Sequence, residues 1–397
     1  MGKYKKYVPD GVEDCLPAEC YLKRQMEAAL RETFIVSGYD EIETPTYEFY
    51  DAFQSGVGAY LQESMVKFVD AKGRILVLRP DITVPIARVA ATKLDTLPQR
   101  LCYIQNSFAC AEPAFGKAGE FTQAGIELIG EAGCAADAEV IALAIKSLQK
   151  AGLTAFTIDV GQVQFFKGLI GGLSLEEDEI DELRHAVDSK DEMAIEAAAT
   201  QLGICDELKA KLAALPGLFG GEEVFEKALA LSHNEMCAAA VENLKSVYAL
   251  LKEYGFERYI SVDFAMLHDI AYYSGTIFRG ITQGIGFPVV LGGRYDALLE
   301  KFGQSAPATG FALNIKRVMI AMERAQQLSG YYETYAVIGC DAQSSAAAYA
   351  YAEQQRSEGK RVVFATDTGK DALAVQKQRY GAQAAVYFEA DGSRTEV

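Results

Sequence analysis

The sequence predicts an α+β protein with an antiparallel-rich sheet, a helical insertion and a small α/β unit near its C-terminal end. Strands joined by short loops recur before residue 173 and after residue 255. Between these regions the apolar spacing is helical, and near the C-terminal end strands alternate with helices. We therefore expect a core at 1–173 and 255–328, an acidic helical insertion at 174–254, and an α/β domain at 331–397.

The first elements follow from local patterns. Residues 17–38 repeat apolar side chains at helical spacing and end at a glycine, which predicts a helix. The segment "YDEIETPTYEFYDAF" predicts a strand broken at Pro45 and then a turn or short helix. A hairpin follows in "MVKFVDAKGRILVLRPD" and a helix in "ITVPIARVAATKL".

The segment "YIQNSFACAEPAFGKAGEFTQAGIELIG", residues 103–130, predicts two strands around a glycine-containing loop. A helix at 136–151 and the strand "AFTIDVGQ" come next. Beyond the insertion, "RYISVDFAML", "YYSGTIFRGIT" and "FPVVLGGRYDALLEKFG" return to strands and turns, and "PATGFALNIKRVMIAMERAQQL" predicts a strand followed by a helix. The last region reads "YAVIGC", helix 343–358, "KRVVFAT", helix 370–380 and "AAVYFE".

Composition excludes several classes of function. The chain has 397 residues and a net charge of −17, and residues 174–257 hold 19 acidic and 7 basic side chains. This charge repels a phosphate backbone, so no nucleic-acid partner is expected. No apolar run reaches the ~20 residues of a membrane span, and the first residues lack the apolar core of a signal peptide, so we expect a cytoplasmic protein without membrane contact.

Cysteine and histidine spacing indicates neither a metal site nor a disulfide framework. The eight cysteines are scattered without a C-x-x-C pair, and the three histidines show no metal-ligand spacing. Dinucleotide-binding and P-loop motifs are also missing from the sequence. We therefore predict reduced thiols, no cofactor and no metal.

The second strand of the 103–130 hairpin carries Gln123 and Glu127 among small apolar residues. Two interpretations are open. Residues four apart share one face of a strand, so the pair could form an outward-facing polar row. Alternatively, the two side chains face inward and line a binding site.

Seven segments resemble, in order, the catalytic core of histidyl-tRNA synthetases, which have a class II aminoacyl-tRNA synthetase fold. They span about residues 11–320. The resemblance implies an antiparallel sheet flanked by helices and a dimer formed through the region of Pro45. The segments are "GVEDCLPAE", "GYDEIETPTYE", "LRPDIT", the 103–130 hairpin, "YYSGTIF", "LGGRYDALLEKFG" and "PATGFALNIKR".

The resemblance also implies a pocket for free histidine. In "LRPDIT", Asp81 corresponds to the acidic residue that takes the α-amino group, and Thr83 belongs to the same element. Gln123 and Glu127 correspond to the residues that take the α-amino group and the imidazole. The aromatic wall is implied to come from the tyrosine pair and from the tyrosine of "GGRYD". These residues are Tyr272, Tyr273 and Tyr295.

Departures from the family pattern argue against adenylation. The arginine that holds the ATP α-phosphate is replaced by Ala109, and the glutamate two residues later by Ala111. The "R-G-L-D-Y-Y" arginine is replaced by His268. Losing one preorganised charged contact costs about 2.7–4 kcal/mol of transition-state stabilisation, and two are lost here. The basic residues of the hairpin loop are replaced as well, by Ala114, Phe115, Lys117 and Ala118.

One further family arginine is retained as Arg317, with Asn314 in place of a glycine before it. The sequence leaves open whether Arg317 is functional or structural.

A histidine pocket without ATP or tRNA contacts resembles the regulatory subunits of ATP phosphoribosyltransferase. That family implies no catalysis by the chain itself, a hetero-oligomer with the short catalytic subunit, and feedback inhibition by histidine. Two alternatives stay open: an authentic or degenerate histidyl-tRNA synthetase, and an amino-acid-binding interaction module unrelated to histidine biosynthesis.

Overall fold

The computed structural model describes residues 5–54, 65–110, 119–232, 234–267, 272–365 and 369–397. The chain divides into two units. The larger comprises Met1–Leu16 and Lys23–Leu328, and the smaller comprises Pro17–Leu22 and Ser329–Val397. We keep the finer division into core, insertion and C-terminal domain as a proposal.

A nine-stranded sheet organises the described part of the larger unit, in the order β1-β5-β6-β12-β11-β10-β7-β9-β8. Most neighbours are antiparallel, as predicted, but β1 runs parallel to β5 and β7 runs parallel to β9. The strands are β1 Asp40–Glu41, β5 Gln99–Phe108, β6 Glu120–Ile129, β7 Thr157–Gln162, β8 Phe219–Gly220, β9 Ile260–Asp263, β10 Thr276–Ile281, β11 Val290–Arg294 and β12 Ala308–Asn314.

The predicted 103–130 hairpin forms β5 and β6. The two strands pair continuously from Gln99↔Ile129 to Phe108↔Glu120. The second half of β6 is buried on both faces because helices cover the sheet, which explains its small apolar composition. Its other neighbour, β12, pairs in a register that sets Gly310 opposite Glu127.

The described helices of the larger unit flank this sheet, and α9 packs against α3 and α4. Helix α1 belongs in part to each unit. The helices are α1 Pro17–Val36, α2 Thr83–Lys93, α3 Cys134–Lys150, α4 Val163–Ile170, α5 Glu177–Asp188, α6 Glu192–Gln201, α7 Asp206–Ala214, α8 Glu223–Leu231, α9 Glu235–Glu253 and α10 Ile315–Arg324.

The segment predicted as a helical insertion contains α5 to α9, but it is not purely helical. Between α7 and α8 it contains a 3₁₀ turn at Leu215–Gly217 and the short strand β8, which pairs with β9 at the edge of the sheet. The sequence did not predict β8, because two residues are too few to show an alternating pattern.

A second, three-stranded sheet lies in the larger unit, in the order β2-β4-β3. It comprises β2 Tyr47–Phe49, β3 Lys67–Val69 and β4 Ile75–Leu78. The hairpin predicted in "MVKFVDAKGRILVLRPD" is the β3–β4 pair. A 3₁₀ turn at Tyr50–Phe53 follows β2, in agreement with the predicted short helix.

The smaller unit has a four-stranded sheet among its described residues, in the order β14-β13-β15-β16. Strand β13 is parallel to both β14 and β15, as strand–helix alternation predicts. The antiparallel edge strand β16 was not predicted. The elements are β13 Ala336–Cys340, α11 Ser345–Ser357, β14 Val362–Phe364, α12 Lys370–Tyr380, β15 Ala384–Phe388 and β16 Arg394–Glu396.

All eight cysteines are thiols. Within the described ranges, no helix combines the length and apolar character needed to cross a membrane.

Candidate ligand-binding site

A cavity of about 260 Å³ opens where β6, β11 and β12 meet the segment before α2. Strand register brings these elements together, since β12 lies between β6 and β11. All of the residues predicted for the histidine pocket line it. They are Asp81, Thr83, Gln123, Glu127, Tyr272, Tyr273 and Tyr295.

Glu127 lies at the base of the cavity and is only 1% exposed. Its carboxylate accepts hydrogen bonds from the Thr83 hydroxyl, at 2.7 Å, and from the Tyr295 hydroxyl. Burial raises the pKa of Glu127 to about 8 although both hydrogen bonds act to lower it, and the nearby Asp81 charge raises it further. Without a cationic partner, Glu127 is therefore mostly protonated at neutral pH.

Asp81 supplies a second, partly buried carboxylate just before α2. Its Oδ1 accepts the Val84 backbone N–H at 2.9 Å, and its Oδ2 accepts the Tyr272 hydroxyl at 3.2 Å. Burial raises the pKa of Asp81 to about 6, against the effect of these hydrogen bonds. A ligand ammonium would stabilise the charged form, which makes the site selective for cationic groups.

Three tyrosines form one wall of the cavity. The ring of Tyr272 lies edge-to-face on Tyr273, at 5.3 Å between centroids, and on Tyr295, at 5.9 Å. Burial raises the pKa of all three phenols far above its usual value, so they stay neutral. The wall therefore offers flat apolar faces together with hydroxyl groups.

Gln123 lies on the same face of β6 as Glu127, nearer the hairpin loop. It is half-buried, and its Oε1 accepts the Ser107 hydroxyl at 2.7 Å, which orients its amide. Both residues line the cavity. The alternative interpretation of an outward-facing polar row is therefore wrong.

Sequence reasoning missed Gly310, which faces Glu127 across the β6–β12 pair. A Cβ atom on Gly310 would lie 2.0 Å from Oε2 of Glu127 and 2.4 Å from the backbone oxygen of Ile126. The glycine is thus required for the carboxylate to occupy its position. The small residues of "PATGF" were the available signal, but only the strand register shows what they face.

We expect Gly310→Ala to destabilise the protein by about 1–3 kcal/mol, because the backbone oxygen of Ile126 cannot rotate away from the added methyl group. Urea unfolding measures this change. Gly286→Ala is the control, since Gly286 is exposed and no described atom lies within 4 Å of its added Cβ. Equal stability of the two variants would contradict the close packing at Gly310.

Tyr103 was also missed, although it begins the quoted hairpin. It is fully buried on β5 opposite Gly125, where an added Cβ would lie 2.6 Å from the Tyr103 hydroxyl. Burial raises the pKa of Tyr103, and the charges of Glu127 and Asp81 raise it further, so the phenol lies within electrostatic reach of both carboxylates. Directly opposite residues of paired strands share a face, and Gly125 shares its face of β6 with Gln123 and Glu127, so the Tyr103 ring lies on the cavity side of the sheet.

Arg317 lines the cavity, but its contacts are local. Its guanidinium donates to the Pro288 carbonyl at 2.8 Å and lies over the Phe287 ring at 5.1 Å. Its backbone N–H is capped by Asn314 at the start of α10. These contacts tie the start of α10 to the segment before β11.

Ala109 follows the last residue of β5, and its N–H donates to the Gly119 carbonyl at 3.0 Å across the hairpin. A methyl group therefore stands where the resemblance places the phosphate-binding arginine. The other departures, Ala111, Ala114, Phe115, Lys117, Ala118 and His268, lie outside the described residues.

The ionisable groups at the cavity are mainly acidic and phenolic. Among its described lining residues, Asp81 and Glu127 are the two carboxylic acids and Arg317 is the one cation. No cluster of three or more metal-ligating side chains occurs in the described ranges. The arrangement suits an organic cation with an aromatic ring rather than a nucleotide.

Comparison with known proteins identifies the family. A profile described as histidyl-tRNA synthetase matches residues 11–318. An ATP phosphoribosyltransferase regulatory subunit from Acetivibrio thermocellus is 49% identical over 326 residues, which is 82% of this chain and 78% of that protein. The chain belongs to the ATP phosphoribosyltransferase regulatory subunit family.

Other members of the regulatory subunit family cover more of the chain. One from Clostridium acetobutylicum is 41% identical over 91% of this chain and 90% of its own length. A crystal structure from Bacillus halodurans, described as an ATP phosphoribosyltransferase regulatory subunit/histidyl-tRNA synthetase, has 32% identity and a TM-score of 0.86. That match covers 98% of this chain and 99% of the other. The predicted class II synthetase-like fold is confirmed.

Proposed function

We propose that this chain is a non-catalytic regulatory subunit of ATP phosphoribosyltransferase, acting in the first step of histidine biosynthesis. It activates the short catalytic subunit and binds free histidine as a feedback signal. The observation that carries the proposal is the cavity itself, where a buried and a partly buried carboxylic acid meet three tyrosines in a chain of the regulatory subunit family.

Histidine fits the chemistry of this cavity. Asp81 and Gln123 bind the α-amino group, and Glu127 accepts the imidazole N–H. Tyr273 and Tyr295 lie against the ring, while Thr83 and Tyr272 hold the two carboxylates in place. Burying an acid without a cationic partner is unfavourable, and a cationic ligand offsets this cost for both acids. The site therefore favours a ligand with an ammonium group and a ring N–H.

The same site is poorly suited to adenylation. Charge develops on the α-phosphate when a carboxylate attacks ATP, and a cation must be positioned there. Ala109 offers a methyl group, and Arg317 is committed to Pro288 and Phe287. We infer that the chain has no catalytic activity of its own and acts through its partner.

Feedback inhibition requires more than histidine binding. Histidine must bind the active and inhibited states of the hetero-oligomer with different affinities, and a coupling of about 1–3 kcal/mol is typical. We place the assembly in the cytoplasm and infer that the chain also pairs with itself through the region of Pro45.

Mixing experiments test this function. We expect the chain to co-purify with the short catalytic subunit and to raise its phosphoribosyltransferase activity, and we expect histidine to reverse that increase. The Asp81→Asn variant is expected to assemble and activate normally while responding only to higher histidine concentrations. A chain that stays separate from the catalytic subunit and leaves its activity unchanged would refute the proposal.

The alternative function is a histidyl-tRNA synthetase, which the family profile and the position of Arg317 in the cavity favour. Histidine-dependent exchange of pyrophosphate into ATP separates the two functions. We expect no exchange in the wild type, and none in Ala109→Arg, because one guanidinium does not rebuild the site. Measurable wild-type exchange would establish the synthetase.

A further inference from the structure

The corner between α5 and α6 contains a lysine in an unusual conformation. Lys190 has a φ of +56°, in the left-handed region that costs a non-glycine residue about 1 kcal/mol or more. Its ammonium group makes two contacts. Nζ lies 2.9 Å from Oδ2 of Asp263 and 4.6 Å from the centre of the Phe219 ring.

Asp263 is fully buried at the end of β9, so it depends on these partners. Its Oδ2 also receives Arg279 at 3.4 Å, and Arg279 in turn contacts Asp159 at 3.2 Å. Its Oδ1 accepts the Ala265 backbone N–H at 3.0 Å. Removing the lysine would leave the buried carboxylate with Arg279, which it shares with Asp159, as its one described cationic partner, and losing one partner of a buried ion pair is costly.

The same corner also contacts Leu267, four residues after Asp263. Asp188, the last residue of α5, accepts the backbone N–H of Leu267 at 2.8 Å. Two side chains that are two positions apart in the insertion therefore hold Asp263–Leu267 at both of its ends. Between them, Phe264 packs on Phe165 of α4, at 4.8 Å between ring centroids.

This segment precedes the tyrosines of the aromatic wall in the sequence, with Leu267 five positions before Tyr272. Met266 belongs to the same buried apolar cluster as Tyr272 and Tyr273. The backbone passes so close to Gly161 of β7 that an added Cβ would lie 2.6 Å from the Asp263 carbonyl oxygen. The segment is therefore packed closely against β7.

We propose that the Asp188–Lys190 corner positions the tyrosine wall by fixing the Asp263–Leu267 segment, which couples the helical insertion to the ligand cavity. Lys190 and Asp188 are positioning residues that touch no ligand. The inference rests on the proposed function in one respect, since histidine is taken as the ligand whose affinity reports the coupling.

The test combines histidine affinity with a readout that needs no ligand. Lys190→Gln is expected to weaken histidine binding about tenfold in calorimetry, equivalent to about 1.4 kcal/mol. It is also expected to speed hydrogen exchange in peptides spanning residues 260–275 of the ligand-free protein. Lys190→Arg should show the wild-type histidine affinity and the wild-type hydrogen exchange, because it keeps the positive charge. Asp188→Ala, which removes the acceptor of the Leu267 amide, should reproduce both effects if Lys190→Gln folds poorly.

The matched control is Lys211→Gln, which removes an exposed ion pair with Glu207, at 2.7 Å, elsewhere in the insertion. It should leave both readouts unchanged. Unchanged histidine affinity in Lys190→Gln and Asp188→Ala, despite lower thermal stability, would show that the corner is merely structural and would overturn the inference. If the wild type binds no histidine but hydrogen exchange in residues 260–275 is still faster in Lys190→Gln and Asp188→Ala, the proposed function fails while the positioning role stands.

Discussion

Glu127→Ala is expected to weaken histidine binding about 10- to 150-fold. The change removes a hydrogen bond to a charged acceptor, worth about 1.5–3 kcal/mol, from a site that is shielded from water. Tyr273→Phe should lower affinity by a smaller factor, about 2- to 10-fold, because a neutral hydroxyl contributes less. Isothermal titration of the purified chain with histidine measures both changes.

Glu120→Ala provides the control for this prediction. Glu120 lies on the same strand as Glu127, but it is exposed and its carboxylate accepts the Asn106 amide. Its removal should leave histidine affinity unchanged. Unchanged affinity in both Glu127→Ala and Tyr273→Phe would mean that histidine binds elsewhere, for example at an interface between subunits.

The ligand-free protein is expected to lose stability as pH rises from about 4.5 to about 8. Burial raises the pKa of Glu127 from 4.5 to about 8, so in this window the folded state holds a proton that the unfolded state has released. Stability then falls by at most about 1.4 kcal/mol per pH unit for this one group. Asp81 contributes in the same direction, from 3.8 to about 6.

Glu127→Gln should remove the part of this slope that lies between pH 6 and pH 8. Urea unfolding at several pH values measures the free energy of unfolding, with Glu120→Gln as the control for all other titrating groups. If Glu127→Gln and Glu120→Gln keep the same slope, then Glu127 is ionised in the free protein, and the pKa assigned to it is wrong.

Histidine affinity should show the opposite trend over the same range. Between about pH 6.5 and 8 the imidazole ring is neutral and donates its N–H to an ionised carboxylate, so binding favours the deprotonated form of Glu127. Affinity for the wild type is expected to rise with pH up to about 8, and Glu127→Gln should lack this rise. A flat profile in the wild type would show that Glu127 binds the ring in its protonated form.

Together these properties suit a sensor. In the ligand-free site the two acids are partly neutral and held by hydroxyl donors from Thr83, Tyr272 and Tyr295. A cationic ligand converts them to charged partners, so the occupied and empty cavities differ in charge as well as in contacts. Such a difference is what a coupled assembly needs in order to respond to histidine.

Much of the site could be predicted from the sequence because its residues follow strong local patterns. The hairpin is marked by two strand-like segments around a glycine-containing loop, and the spacing of four residues puts Gln123 and Glu127 on one face. The resemblance supplied Asp81 and the tyrosines, which the chain places around the same cavity. The replacement of the family's phosphate-binding arginine by Ala109 was likewise visible without a structure.

Contacts between distant strands were not predictable in this way. Gly310 matters because of its register against Glu127, which lies 183 positions earlier in the chain. Tyr103 matters because Gly125 leaves room for its ring. No period or motif encodes either pairing, since each depends on the loop that closes a hairpin or on the order of strands in the sheet.

The sequence by itself thus determined the fold class, because strand patterns and helical spacing are local properties, and its resemblance to known proteins supplied the family and the residues of the pocket. Only the tertiary structure decided how acidic each carboxyl is, since burial and neighbouring hydroxyls set the pKa values of Asp81 and Glu127. It also brought Lys190 to Asp263 across 73 positions. Packing of the corner between α5 and α6 against β9 creates that ion pair, and no local sequence pattern predicts it.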